Sequence, residues 1–180
     1  MIGVRKALPN DLHTIMEIVR KVVPLLNREG NYQWNESYPT ENDFRHDIEN
    51  GFLYVAVHHA ADKDPSLGGE VVGFIAITAN QPPEYHDLDW KNTDADVLVP
   101  HRLGVNPDYH RQGIAQLLMQ HVETIARNKG VKTIRVDTNI ANDRMNHIIR
   151  KLGYEYIGNV FFVKGKHGRL EFRCYQKVLS

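Results

Sequence analysis

The residues of this chain with the most chemistry in their types and spacing are Val105-Asn106-Pro107-Asp108-Tyr109-His110-Arg111-Gln112-Gly113-Ile114-Ala115. An apolar strand pattern ends at Val105, Asn106-Pro107 makes a turn, and Gly113 opens a long amphipathic run. Backbone N–H groups at a helix start have no intrahelical acceptors, and they point outward with the positive end of the helix dipole. Such a start binds a phosphate or pyrophosphate. Gly113 lets the main chain approach the anion, Ala115 keeps the next contact small, and Arg111 adds a charged donor. On these residues alone an ordinary strand-turn-helix connection stays open beside the anion site. Two other nucleotide sites are excluded. No Lys-Ser or Lys-Thr follows the glycine, as a P-loop requires. The three glycines and later acid of a dinucleotide-binding turn are also missing.

The remaining reactive side chains read as structural. Cys174 alternates with Leu170 and Phe172, which assigns it to a core face rather than to an acyl carrier. The ten histidines show no metal-ligand spacing, and His58 and His59 are neighbours in a strand that would face opposite sides. No metal is expected. Lys164, Lys166, His167 and Arg169 make a basic turn, read as a solvated hairpin, with contact to an anionic group as the alternative.

The elements that must position the turn come from apolar spacing. Ile2 to Ala7 reads as a short strand. Pro9, Asn10 and Asp11 supply helix-start chemistry, and Leu12, Ile15, Met16, Val19 and Val22 or Val23 keep helical spacing until Pro24. Residues 28–39 are polar with aromatic insertions, a loop or an interrupted second helix. Thr40 to Glu49 is a short helix with Thr40 as N-cap and Asp43 three residues on. Strands come next at Phe52–His58 and Val71–Thr78, separated by a turn over Asp62–Gly69. The second strand is apolar on both parities and so is covered on both faces. A polar loop, Gln81–Asp94, leads to a strand over Val97–Val105, in which Pro100 predicts a bulge or a locally unpaired edge. The helix from Gly113 closes at Arg127, Lys129 and Gly130. A strand over Val131–Thr138, a helix over Asn142–Leu152 stopped by Gly153, and a hairpin of Tyr156–Val163 with Arg169–Leu179 complete the chain. The order β-α-α-β-β-β-α-β-α-β-β predicts an α/β fold: a single mixed, mostly antiparallel sheet with helices on both faces, residues 1–180 forming one domain.

Composition narrows the class. A chain of 180 residues, 42% of them hydrophobic, is long enough for one real core. Arg5 and Lys6 are followed by no apolar stretch, so no signal peptide is expected, and no apolar run approaches the roughly 20 residues that cross a bilayer. Lys plus Arg equal Asp plus Glu at 22 each, which removes any global field toward nucleic acid or membrane. Cys174 is the single cysteine, which excludes an internal disulfide and fits a reducing compartment. A soluble cytoplasmic protein is expected.

Taken with this element order, the turn resembles the phosphate-binding signature of the GNAT superfamily of N-acetyltransferases: Arg or Gln, two variable residues, Gly, one variable residue, then Gly or Ala. The six positions here are His110, Arg111, Gln112, Gly113, Ile114 and Ala115, with His110 where Arg or Gln is usual. A second segment, Asn142 to Tyr154, is similar to the family's pantetheine-side helix, which runs from an Asn to a Lys-Leu-Gly-aromatic ending. The resemblance covers essentially the whole chain. It implies acetyl-CoA as co-substrate and direct transfer to a primary amine with both substrates bound. Pantetheine would pair along Leu103, Gly104 and Val105 like an added strand, and Asn142 would hold it from the other side. An acetyl-CoA-binding sensor without turnover is the alternative. It draws on Ile149, which stands where the family often places a Tyr that protonates the leaving thiolate.

The resemblance also implies a base on the strand before the turn, where Glu is common and none occurs between Val97 and Val105. His101, sharing parity with Leu103 and Val105, is the first candidate, and a neutral imidazole can take the proton directly or through water. Asp96 is the second, since Pro100 could shift parity. Tyr154 takes the family's structural aromatic position and is expected in the core. On the acceptor side the resemblance places Trp34, Glu36 and Tyr38 and the acidic loop with Glu84, Asp87, Asp89, Asp94 and Asp96 against Lys91. Carboxylates and aromatic faces there would favour a cationic amine, such as a polyamine, an amino sugar or a lysine-like group. A well-solvated loop without that role is the competing reading. The partner is a small-molecule or peptide amine, and the oligomeric state, homodimer included, is left open.

Overall fold

The computed structural model describes residues 1–60, 68–93 and 96–180. The turn expected over Asp62–Gly69 falls outside them except for Gly68 and Gly69, and so does Asp94. Seven strands form one sheet: β1 (Ile2–Lys6), β2 (Leu53–His58), β3 (Glu70–Thr78), β4 (Val97–Val105), β5 (Thr133–Asn139), β6 (Glu155–Val163) and β7 (Arg169–Val178), in the spatial order β1-β2-β3-β4-β5-β7-β6. Every neighbouring pair is antiparallel except β4 with β5. The α/β class with a mixed, mostly antiparallel sheet is therefore the observed one.

Four helices cover the two faces. α1 (Leu12–Arg28) and α2 (Glu41–Glu49) bury Ile15, Ile18, Val19 and Phe44 against Leu53, Val55 and Phe74. α3 (Ile114–Asn128) and α4 (Asp143–Lys151) bury Leu118, Val122 and Ile149 against Ile75, Ile134 and Tyr175 on the other face. Thr40 caps α2 in the expected manner: its hydroxyl accepts from the Asp43 N–H at 3.3 Å, while Asp43 accepts from the Thr40 N–H at 2.6 Å. The helix expected to stop at Pro24 continues to Arg28. A proline removes one intrahelical donor. Pro24 and Arg20 are both exposed, so the carbonyl that loses its partner can face water, and the helix closes instead before Gly30 at φ 77. The polar loop between β3 and β4 also carries a core of its own. Tyr85, in a short 3-10 turn over Pro83–Asp87, and Trp90 are 2% and 8% exposed and cover Val97, Val99, Phe172 and Cys174.

Two features of β4 position the site. Its ladder to β5 consists of only two residue pairs, Val97↔Thr133 and Leu98↔Ile134. Beyond them the strands part, so β4 from Val99 onward has no β5 partner on that side. The second feature is a bulge. Gly104 stands opposite Phe74 and His101 opposite Ala76, so Arg102 and Leu103 together face Ile75, and Arg102 takes the left-handed φ of 50. Pro100 itself stays in register with Ile77, so the interruption expected at the proline lies further along the strand.

Gly104 is held without a side chain by close packing. A Cβ there would meet Phe74 Cζ at 2.5 Å and Trp34 Cη2 at 2.9 Å. Gly104→Ala should therefore lower unfolding stability by about 1–3 kcal/mol, measured by denaturant titration, as overpacked core sites do. An unchanged midpoint would mean that the bulge absorbs the methyl group freely.

Candidate active site

The α3 start has the geometry of an anion site. Gly113 precedes the helix at φ 74, Arg111 also takes a left-handed φ of 65, and Arg111, Gln112 and Gly113 are exposed. The first intrahelical bond is donated by Leu117 to the Gly113 carbonyl at 2.9 Å, which leaves the N–H groups ahead of it without helical acceptors. A Cβ on Gly113 would meet nothing within 4 Å, so its conformation rather than crowding calls for glycine. Asn106 shapes the approach by accepting from the Asp108 N–H at 3.1 Å. His110 is bound by Arg144 of α4, whose Nη1 lies 3.2 Å from His110 Nδ1. A guanidinium only donates, so Nδ1 is the unprotonated nitrogen. Burial and the Arg144 charge both hold the His110 pKa below the usual histidine value. The position that departs from the family pattern thus brings a second cation, Arg144, to the turn.

Leu103, Gly104 and Val105 lie in the stretch of β4 that β5 does not pair. Across the gap, the Asn142 side chain accepts from Met145 N–H at 3.2 Å and caps α4, which leaves its amide N–H groups without a partner among the described residues. Ile149 is fully buried in the core, so no polar side chain enters the gap from that position.

On the opposite face, the segment between α1 and α2 crosses the opening. Gln33 accepts from the Asn139 N–H at the end of β5, 3.1 Å away. The β6–β7 turn closes over the same segment. His167 stacks on Tyr32 with centroids 4.7 Å apart, and Glu36 holds Lys166 at 2.7 Å and His167 at 3.2 Å. Lys166 first, then the Glu36 backbone and His167, lower the Glu36 pKa to about 2. Its charge is therefore already balanced within the protein. Trp34 is 4% exposed and stacks on Phe74 in the core, so its ring face is not offered to a ligand. Tyr38 does reach the opening: its hydroxyl accepts from Arg102 Nη1 at 3.1 Å, and Lys164 Nζ sits 4.4 Å over its ring. Arg102 is fixed by a bidentate pair with the buried Asp47, both contacts at 2.7 Å. Burial opposes the charge on Arg102, but the Asp47 and Tyr38 contacts outweigh it and raise its pKa.

The bulge reverses the parity expected for His101. Leu103 and Val105 pack toward α3, whereas His101 lines a cleft of ≈ 300 Å³ on the α2 side with His46, Asp47, Thr78 and Asn80. Its Nε2 lies 3.3 Å from the Asn80 carbonyl. Burial, reinforced by Arg102, lowers its pKa to about 4, so it is neutral at neutral pH. A larger cavity, ≈ 410 Å³, opens between α1 and β3 beside Lys21 and Glu70 and shares no residue with the bulge. Asp96 is exposed just before β4, at the end where that strand still pairs with β5.

A carboxylate absent from the sequence expectations stands at the opening. Asp137 lies on β5 beyond the last β4 pair, on the face that carries Tyr85 and Cys174. Its Oδ2 accepts from the Tyr85 hydroxyl at 2.5 Å. Burial raises its pKa to about 6 against the opposing effects of that hydrogen bond and of Lys164. The signal was legible as two charges, Arg135 and Asp137, on one parity of a strand whose other parity carries the apolar Ile134 and Val136. Cys174 and Tyr154 are core residues, 0% and 4% exposed, as expected.

Comparisons with known proteins agree with this geometry. Residues 19–154 match the family described as Acetyltransferase (GNAT) family. An uncharacterized N-acetyltransferase, YesJ of Bacillus subtilis, is 24% identical over 155 residues, covering 84% of this chain and 81% of its own. A GNAT-family acetyltransferase of Streptococcus agalactiae superposes with a TM-score of 0.79 at 25% identity, covering 99% of this chain and 96% of that one. One from Listeria monocytogenes gives 0.72 at 21%, covering 99% and 95%. With an unpaired β4 edge, an open helix start and the matching strand order in one molecule, this chain belongs to the GNAT family of acetyltransferases and is an acyltransferase.

Proposed function

We propose that residues 1–180 form one domain that transfers an acetyl group from acetyl-CoA directly to a primary amine while both are bound. The observation that carries this reading is the free β4 edge from Val99 to Val105 leading straight into the exposed start of α3. Leu103, Gly104 and Val105 would pair with the pantetheine arm, and Asn142 would donate to it from α4. The turn from His110 through Arg111, Gln112, Gly113 and Ile114 to Ala115 would take the pyrophosphate, with Arg144 adding charge. The acceptor, a small molecule or a peptide, enters from the α1–α2 side past Tyr38. No helix among the described residues is long and apolar enough to cross a membrane. A free, buried Cys174 suits the reducing cytoplasm, where we place the protein.

Bound acetyl-CoA supplies the thioester, whose carbonyl carbon takes the amine lone pair as the C–S bond breaks and the CoA sulfur leaves to be protonated as thiol. The protein must first remove one proton from the ammonium form of the acceptor. Three groups are candidates. Asp137 faces the opening with a pKa near the range of a working base, about 6. His101, at about 4, is deprotonated but a weaker acceptor. Asp96 sits at the paired end of β4, away from the opening. We assign the proton acceptor to Asp137, with His101 acting on the neighbouring cleft. The β4 N–H groups beyond Leu98 offer donors to the developing negative charge on the carbonyl oxygen.

Substitution at the turn and at the base separates binding from chemistry. Gly113→Val places a β-branched residue at φ 74 and should weaken CoA binding by at least about tenfold in calorimetric titration. A folded variant that binds as tightly as the parent would remove the turn from the site. A base must be unprotonated, so activity is lost as pH falls through its pKa. With Asp137 as acceptor, kcat/KM corrected for acceptor ionisation declines below about pH 6. Asp137→Asn should erase that limb and slow turnover by roughly 10²–10⁴-fold. A limb near pH 4 that disappears in His101→Ala would move the role to His101.

A further inference from the structure

Two cations on the acceptor face have no anionic partner among the described residues. The Lys164 ammonium is half-buried, 4.4 Å over the Tyr38 ring and 5.9 Å over Phe162, and it forms no ion pair among the described residues. Its neighbours in the basic turn differ: Lys166 and His167 are both engaged by Glu36. Arg135 is 5% exposed and lies two positions before Asp137 on the same side of β5. Its Nη1 donates to Gln81 at 2.6 Å and its guanidinium lies 4.5 Å over Trp90, while Nε and Nη2 are buried with no partner among the described residues. Arg102, by contrast, is neutralised by Asp47. Asp137, on the same side of β5 as Arg135, has one oxygen held by Tyr85 and the other without a donor among the described residues. Lys164 and Asp137 lie in each other's field without forming an ion pair.

A cation withdrawn from water and left without a counter-charge is destabilising, and a ligand carboxylate offsets that cost through charge-assisted hydrogen bonds. A purely cationic acceptor would bring a like charge beside Lys164. An acceptor carrying both signs meets Lys164 and Asp137 at once, its ammonium toward Asp137 and its carboxylate toward Lys164. Lys164 acts on Asp137 electrostatically without pairing with it, which suits a small ligand carrying both charges. We propose that the acceptor is a free amino acid of the α or β type, its carboxylate bound by Lys164 and its amine presented to Asp137. This inference rests on the acetyl-transfer reading above and narrows its acceptor class. A peptide N-terminus, which has an amide in place of the carboxylate, would not meet Lys164.

The test uses the common L-amino acids and β-alanine, each beside its carboxamide and its decarboxylated amine. Each is titrated calorimetrically into the CoA-saturated protein and assayed with acetyl-CoA for thiol release. At least one amino acid should bind, and show a KM, about tenfold or more below those of its amide. Lys164→Met, which keeps the stem over Tyr38, should raise that KM by roughly 10–100-fold. It should change kcat far less and leave CoA affinity at the parent value as a check on folding. Lys164→Arg should restore much of the loss. Amides or plain amines that match every amino acid, or a Lys164→Met KM equal to the parent's, would overturn the proposal and leave acetyl transfer standing. Amino acids that bind through Lys164 while no amine releases thiol would overturn the transfer reading and keep the carboxylate site.

Discussion

The parting of β4 from β5 is the constraint on which this structure turns. Two parallel strands normally satisfy each other's backbone groups along their length, and an unpaired edge buried in a sheet is unfavourable. Here the ladder ends after Leu98↔Ile134, and from Val99 onward β4 presents a row of main-chain donors and acceptors to a gap rather than to a neighbour. The gap is propped from both sides. On one face α3 and α4 diverge around it, with Arg144 reaching His110 across the space between their starts. On the other, Gln33 ties the α1–α2 segment to Asn139. An extended amide-bearing arm would find there the backbone partners that β5 does not supply.

The bulge converts this backbone arrangement into a site with two separate faces. By adding one residue opposite Ile75, it directs Leu103 and Val105 toward α3 and turns His101 toward α2. Arg102, at the turning point, is held in its left-handed conformation by Asp47 and Tyr38. That buried pair is less a source of stability than a device that fixes one geometry. Removing either partner would strand the other charge in a place with little water. Gly104, pressed between Phe74 and Trp34, locks the same stretch from the sheet side, so an aromatic ring expected to meet substrate instead holds the strand that substrate approaches.

Charge is divided in the same way. The turn before α3 gathers cations, Arg111 and Arg144, with the positive end of that helix. On the α1–α2 side two sets of charges are matched internally: Glu36 against Lys166 and His167, and Arg102 against Asp47. Of the carboxylates counted along the sequence, Glu36 is thus already matched within the protein. Asp137, Lys164 and Arg135 form no ion pair among the described residues and remain to act on a ligand.

The order of elements, the helix start at Gly113 and cap at Thr40, and the core roles of Cys174 and Tyr154 were all legible in the sequence. Each depends on local chemistry: apolar period, a side-chain oxygen within reach of a backbone N–H, a residue that accepts positive φ. The site across the sheet was not. Strict alternation puts His101 with Leu103 and Val105, but alternation holds only until an extra residue enters a strand, and nothing local distinguishes a bulge at Arg102 from one at Pro100. Helix α1 passes its proline because the freed carbonyl faces water, a fact of exposure that composition does not carry. Asp137 meets Tyr85, Tyr38 meets Arg102 and Glu36 meets His167 across separations of 52, 64 and 131 residues. Which charges cancel and which remain free is decided only when distant segments share one dielectric environment, because the interaction depends on distance and burial, and neither is written along the chain.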